Sequence, residues 1–339
     1  MRITRAVLLL LFVASCVSVR HLAAQSQWSV EQTFHVGGEG GWDYVTVDAQ
    51  SPRLFVTRTT HTLVLDADSG KTLADIPGQK SAHGVAIVPA LNRGFITDGG
   101  GTGAIIVFDL KTYSVLGKLA AVPDTDGIIY DAGSNLILAS AGDSSALLAF
   151  RPDIDPESGT IGAPIDLGGK PEFIAADGQG KAYVNLEDKD VVAVVDLNAR
   201  KVLAKWPVAP GGHPVGLSID AKTHRLFVGC RNPQKLVVMN AEDGKVEASI
   251  PIGAGVDATA FSEGHAFASC RDGALIVAGE KDGKFGLIQT VKTPDGAKTL
   301  TVDAKTHRIY LPTAEFEPTT SGRPKAKPGT FMIVVVERH

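Results

Sequence analysis

"WDYVTVDAQSPRLFVTR" at residues 42–58 is written again, with changes, as "PVGLSIDAKTHRLFVGC" at 214–230 and "KTLTVDAKTHRIYLPT" at 298–313. In each copy two runs of alternating β-branched or aromatic and polar residues flank an Asp-led corner, the pattern of two pleated strands joined by a turn. Aligning the chain on the central residue of the "RLFV"-like run gives Phe55, Phe95, Ile137, Tyr183, Phe227, Phe267 and Tyr310, with successive gaps of 40, 42, 46, 44, 40 and 43. A period in this range with no helical periodicity belongs to four-stranded propeller blades and not to helical solenoids.

Seven copies predict seven blades. The first reads through as "DYVTVDA", "RLFVTRT", "TLVLDAD" and "TLADIPG", and later copies repeat the third strand and its turn as "AIIVFDLKTYSVLGKL", "VVAVVDLNARKVLAKW" and "KLVVMNAEDGKVEASI". The last copy stops at its third strand, "FMIVVVERH", whereas "WSVEQTFHVGG" (Trp28–Gly38) stands ahead of the first inner strand with nothing to pair to. The expectation is an all-β, seven-bladed β-propeller of four-stranded blades over residues 28–339, closed by the N-terminal strand completing blade 7. Closure removes the open sheet edges of a linear array. The stretch "AEFEPTTSGRPKAKPGT" (Ala314–Thr330) is extra, an inserted loop of blade 7 that reads as a flap or docking loop, or as plain disorder.

The bulk numbers agree with a packed domain: 44% hydrophobic and 21% charged residues across 339, with 37 Gly and 18 Pro for turns. Arg2 and Arg5 precede the apolar run Ala6–Ala14, the layout of an export signal, too short to span a bilayer as a mature helix. Two processing sites fit: "VASC" (Val13–Cys16), which would leave a lipid anchor on Cys16, and "HLAAQS", with cleavage near Ala24 or Gln25. A periplasmic or secreted protein follows from either. Removing residues 1–25 takes away three arginines and no acid, so the net charge moves from −4 to −7. A generally basic nucleic-acid surface is disfavoured. A local patch of Arg231, Arg271, Arg323, Lys325 and Lys327 is what keeps an anionic polymer in play.

In a propeller the residue that opens each inner strand lies at one mouth of the central channel. Counting five back from Asp48 and its equivalents gives Asp43, His83, Asp126, Glu172, Val215, Asp257 and Lys298, with His213 two residues ahead of Val215. Carboxylates this close repel unless a cation or proton joins them, so the ring is a candidate site for a divalent metal (Asp126, Glu172, His83) or a polar ligand. The plainer reading is a wet channel mouth in which polar residues are cheap. No compact metal-binding spacing decides between the two.

Cys230 and Cys270 occupy equivalent positions in adjacent copies, each followed by arginine, Arg231 and Arg271, on the mouth face. An oxidising compartment allows a disulfide. Sheets set about 10 Å apart argue instead for two separate thiols, and no CxxCH marks haem attachment. Arg231 and Arg271 can engage an anion or simply extend over the rim. "DIDPES" (Asp153–Ser158) has a calcium-loop look, but Pro164 stands where the closing acid belongs, which favours a hairpin. Gly101–Gly103 joins two strands and has no helix to receive a phosphate.

The units opening "HPVGLSID…HRLFV" and "HGVAIVP" and closing "VVDLNARKV" resemble the YVTN-repeat (YncE-like) β-propellers of secreted bacterial proteins, over about residues 28–339. The resemblance implies the fold and export. It does not imply one activity, because that scaffold hosts binding proteins, lyases, lactonases and dehydrogenase subunits. The leading expectation is an exported, non-enzymatic binding or scaffold protein holding a small ligand, a metal or a periplasmic protein partner at the mouth. The alternative is a metal-dependent hydrolase or lyase of lactonase type, with Glu172 or Asp126 as base and His83 as acid. Export predicts that the intact mass of the chain recovered from a bacterial envelope fraction lacks the N-terminal segment, through residue 15 or near residue 25; a product beginning at Met1 would contradict it.

Overall fold

The computed structural model describes residues 27–48, 50–318 and 324–339. The expected leader at 1–25, its Cys16 and Arg323 of the inserted loop lie outside them. The opening stretch forms the hairpin its pattern predicts: strand Val45–Asp48 pairs antiparallel with Arg53–Asp66, Asp48 opposite Arg53. Asp48 makes the corner by accepting from the Gln50 and Ser51 amides at 3.0 and 3.3 Å and from Arg53 at 2.5 Å. Asp220 and Asp303 repeat the device, accepting from the Lys222 and Lys305 amides at 3.1 and 2.7 Å. An aspartate that bonds its own turn is why "DAKTH" ends one strand and starts the next.

The strands assemble into six antiparallel sheets, five of four strands and one of six. This corrects the expectation of seven separate four-stranded blades: the first two sequence repeats share one sheet. The physical reason lies in the link between them. Residues 78–81 carry no turn, so strand Thr72–Val88 runs unbroken from the first repeat into the second beside Arg53–Asp66, pairing Thr59 with Ala82 and His61 with Pro77 across a register shift. Every other link between repeats contains a turn or bend that separates one sheet from the next. The wide blade still folds on itself. Thr59 turns with φ 59°, and Phe55, Val64, Ile76, Ile96 and Phe108 pack between its two halves.

The N-terminal strand Trp28–His35 pairs with Met332–Arg338, from Trp28 opposite Arg338 to His35 opposite Met332, and is the outer strand of the last sheet. The ring is thereby closed by the two ends of the chain. Between neighbouring sheets lie apolar layers such as Leu138, Leu147, Val184 and Val195, or Val228, Val237, Val192 and Leu217. Burying these faces is the main stabilising term.

Near the axis the inner strands converge, and the sequence makes room for them. The mouth residue is followed by glycine at Gly84, Gly127 and Gly216. A Cβ there would lie 3.2 Å from the Asp126 carbonyl, 3.2 Å from the Glu172 carbonyl and 2.8 Å from the Thr259 amide nitrogen. Buried side chains of second strands then stitch four of the repeats to the next. Thr57 donates to the His83 carbonyl at 2.6 Å, Thr97 to the Asp126 carbonyl at 2.5 Å, Asn185 to the Gly216 carbonyl at 2.9 Å and Ser269 to the Lys298 carbonyl at 2.6 Å. Thr299 closes the seam by donating to the Asp43 carbonyl at 2.8 Å.

Thr97→Val keeps the shape and strands the Gly84 amide, which bonds the hydroxyl at 2.7 Å, together with the Asp126 carbonyl. A loss of roughly 2 kcal/mol is expected in urea unfolding. The exposed Thr223→Val should change stability by less than about 0.5 kcal/mol; equal effects would contradict the role given to the stitch.

Candidate ligand site at the channel mouth

The convergence of inner strands brings the mouth residues into one cluster. His83 Nδ1 lies 2.8 Å from Asp43 Oδ2 and 3.4 Å from Asp126 Oδ1, and its Nε2 is 3.1 Å from the Ser81 hydroxyl. The Nδ1 proton goes to Asp43. Asp126 Oδ1 is therefore buried with no hydrogen-bond partner. Ligand atoms of Asp43, His83 and Asp126 all lie within 4.8 Å of one another.

On the other side of Asp43, Lys298 Nζ stands 3.5 Å from its Oδ1 and also bonds Asp257, which Arg231 grips from the far side. Arg231 thus belongs to the mouth itself and not to a free rim, and its Nε donates to the Val256 carbonyl at 3.0 Å. Glu172 shares a hydrogen bond with Glu187, which also meets Lys170 at 2.9 Å and His213 Nε2 at 3.1 Å. His213 therefore reaches the mouth through Glu187. Asp43 stands with His83 and Asp126 in this cluster, whereas Glu172, expected beside them, is held by the Glu187 carboxyl.

The charges follow from this crowding. Burial by itself would lower His83, but the bond to Asp43 and the negative charges of Asp126, Asp43 and Asp124 raise it to about 9. Burial, reinforced by Asp43 and opposed by His83, raises Asp126 to about 7. Burial and the charges of Asp126 and Glu187 raise Glu172 to about 9, so it is the protonated partner that donates to Glu187. Burial opposes ionisation of Glu187 too, yet Lys170, the Glu172 bond and His213 bring it below its ordinary value. Tyr44 is raised well above its ordinary value by burial and then by Asp126, Asp43, Glu172 and Asp257. Its ring packs on Phe173 with centroids 4.9 Å apart, and both line the cavity of about 140 Å³ inside the channel. A second cavity of about 210 Å³ opens above, lined by Asp43, His83, Lys298, Ser81 and Thr59.

Glu187, Lys170 and Tyr44 escape a reading confined to the first residue of each inner strand. Glu187 and Lys170 sit in the links beside strands Lys181–Leu186 and Pro171–Ala176, and the run of four charges "EDKD" was the signal that could have found Glu187. Arg271 is placed elsewhere, in a cavity of about 630 Å³ with Asp272, Asp295, Phe316 and Glu317. Cys230 and Cys270 are free and fully buried. Each packs in its own inter-sheet layer, and burial pushes both up to about 12. "DIDPES" is a capped turn: Asp155 accepts from the Glu157 amide at 2.9 Å and from the Ser158 hydroxyl at 2.6 Å.

No family model matches the chain, and no curated protein does. Solved structures do. The hydrazine synthase of Kuenenia stuttgartiensis superposes with a TM-score of 0.69 at 12% identity, covering 82% of this chain and 94% of that one. The WD40 β-propeller domain of Doa1 gives 0.71 at 11%, covering 91% and 97%. The Myceliophteria thermophila Cps50 (Swd1) β-propeller domain gives 0.69 at 12%, covering 92% and 99%. At such identities the likeness is one of fold, and the chain is a β-propeller.

His83, Asp126 and Glu172 all bind protons more tightly folded than unfolded. Their contribution to stability is whole at low pH and is lost as pH rises: between 6.5 and about 9 for His83, 3.8 and about 7 for Asp126, and 4.5 and about 9 for Glu172. The melting temperature should fall from about pH 5 to about pH 9, and Asp126→Asn should flatten the fall and be the more stable form at the alkaline end. A parallel pair of curves would contradict the burial of a carboxylate oxygen without a hydrogen bond.

Proposed function

We propose that the chain is an exported, non-enzymatic binding protein whose channel mouth holds a divalent cation between Asp43, His83 and Asp126. One observation carries this reading: three ligand atoms of the right kinds lie within 4.8 Å of one another, and Asp126 Oδ1 is buried without a hydrogen bond. Ligands about 2.0–2.2 Å from a metal stand up to about 4.4 Å apart, so closure needs only small shifts. Two carboxylates and an imidazole suit Zn²⁺ or Mn²⁺. The Ser81 hydroxyl would hold the ring from Nε2 while Nδ1 faces the ion. Binding then displaces the Nδ1 proton.

Export rests on the Arg2–Ala14 signal and on the resemblance to secreted YVTN-repeat propellers, with a lipid anchor at Cys16 as one of its two forms. A rigid ring with variable mouth loops suits a holder of small ligands or of a periplasmic protein. Nucleic acid fits poorly: in the basic patch Arg231 is taken by Asp257 and Lys327 by Glu315. The hydrolase or lyase reading is favoured by the cavity of about 210 Å³ beside the cluster. It ranks second because Glu172, the candidate base, is tied to Glu187, and Asp126 would be spent as a ligand.

Calorimetric titration with Zn²⁺ and with Mn²⁺ is expected to show one ion per chain. Asp126→Ala or Asp43→Ala should abolish it, and Ser81→Ala should weaken it roughly tenfold or more. Glu172→Gln should leave the affinity within about threefold. Absence of binding, or binding indifferent to Asp43 and Asp126, would overturn the site; ester or lactone turnover by the loaded protein would move the reading to the hydrolase.

A further inference from the structure

A cavity of about 380 Å³, which shares Gly41 and Trp42 with the mouth cavity, lies beneath the inserted loop, between residues 38–42 on one side and residues 325–328 on the other, with Arg58 and Phe331 in its wall. Its volume is that of a small-molecule pocket. Arg58 is the residue that ends the opening hairpin, at the position where later copies carry Cys230 and Cys270, and it is only 1% exposed.

The surroundings of that guanidinium are unusual. Nε donates to the Gly41 carbonyl at 3.0 Å, Nη1 to Gly37 at 3.1 Å, and Nη2 to Glu39 at 2.7 Å and Gly40 at 3.2 Å, while the Phe331 ring lies 4.0 Å beneath. Four of five N–H groups are thus used, all on backbone carbonyls, and the fifth is on Nη1. Nη1 is also the atom that a Cβ on Gly38, a cavity-wall residue, would meet, at 3.7 Å. Among the described residues no carboxylate pairs with Arg58. Burial lowers it to about 10, with only Asp75 opposing. A buried cation with no anion is an expensive element to keep in a fold unless something completes it.

Two more groups point the same way. The Trp42 indole N–H is buried and has no hydrogen-bond partner, although the ring is well held, 5.4 Å from Phe331 and 6.2 Å from Phe316. Lys325 lines the cavity and makes no ion pair among the described residues, whereas Lys327 is paired with Glu315 at 2.9 Å. Trp42 and Phe331 with Ala314, Ala326 and Pro328 supply the apolar part of the wall. Glu39 is the one acid in the wall, and its side chain is exposed.

We propose that this cavity is a second ligand site and that it takes a small aromatic carboxylate, the carboxylate meeting Arg58 Nη1, the Trp42 Nε1–H and Lys325, the ring lying against the apolar wall. Charge-assisted hydrogen bonds supply the recognition of the anion, and the apolar wall distinguishes an organic acid from a bare inorganic one. The site does not depend on the metal cluster at the mouth. Lys325 lines this cavity and not the mouth, so its variant reports on this site alone.

The test uses benzoate as probe, with neutral benzamide and inorganic phosphate as comparators. The chain has three tryptophans, so an amide spectrum of ¹⁵N-labelled protein shows three indole N–H signals. Benzoate should move one of them strongly, and that signal should be absent in Trp42→Phe. Affinity should drop roughly tenfold in Trp42→Phe and about threefold in Lys325→Ala, the losses given by one charge-assisted hydrogen bond and by one exposed cation. Arg58→Met removes the buried cation and is expected to unfold easily, which is why the other two variants decide. Benzamide matching benzoate, phosphate binding more tightly than benzoate, or both variants binding as the parent does would each overturn the proposal.

Discussion

The close approach of inner strands around the channel axis governs the rest of this molecule. Backbones come so near that a Cβ on Gly84 or Gly127 would lie 3.2 Å from the carbonyl of the next mouth residue. The gaps are then bridged by Thr57, Thr97, Asn185 and Ser269, whose buried side chains bond the neighbouring inner strand. Hydrogen bonds in a dry layer are costly to break, so the ring's inner rim is fixed more firmly than apolar packing alone would fix it.

The electrostatics of the mouth is a consequence of that geometry. Each repeat delivers its first inner-strand side chain to one small circle, and acids are over-supplied there. The protein answers in three ways: internal cations between Asp43, Asp257 and their neighbours, a shared proton between Glu172 and Glu187, and a protonated imidazole beside Asp43. Asp126 is what remains after those pairings, a carboxylate oxygen enclosed without a donor. A rim held rigidly by its backbone cannot move to relieve it, which is how a structural constraint becomes a place for a ligand.

Much of this was legible in the sequence. The repeat announced at residues 42–58 gave strand order, corners and the pairing of Trp28–His35 with the C-terminal strand. The mouth residues Asp43, His83, Asp126, Glu172, Asp257 and Lys298 could be counted from the period alone, and the structure does bring them together. Blade number was not legible in that way. It turns on residues 78–81, which stay extended where other links bend, and a spacing of 40 residues between Phe55 and Phe95 carries no information about that. Nor could the period show how the acids would pair, since Glu187 and Lys170 enter from link residues that follow no repeat. Arg58 and Trp42 stood at the two ends of the first quoted stretch, yet their meeting under the inserted loop depends on a chain segment 270 residues further on, at Lys325–Pro328.

The central claim is that the mouth holds its charged groups in a fixed, crowded array, and His83 reports on it most directly. Its imidazole signals followed by NMR against pH should show a ring that stays protonated well past neutrality, titrating near 9. Asp43→Asn should bring the titration down sharply by removing the acceptor at 2.8 Å. A His83 that titrates near the ordinary 6.5, unaffected by the loss of Asp43, would contradict the array from which the proposed cation site is drawn.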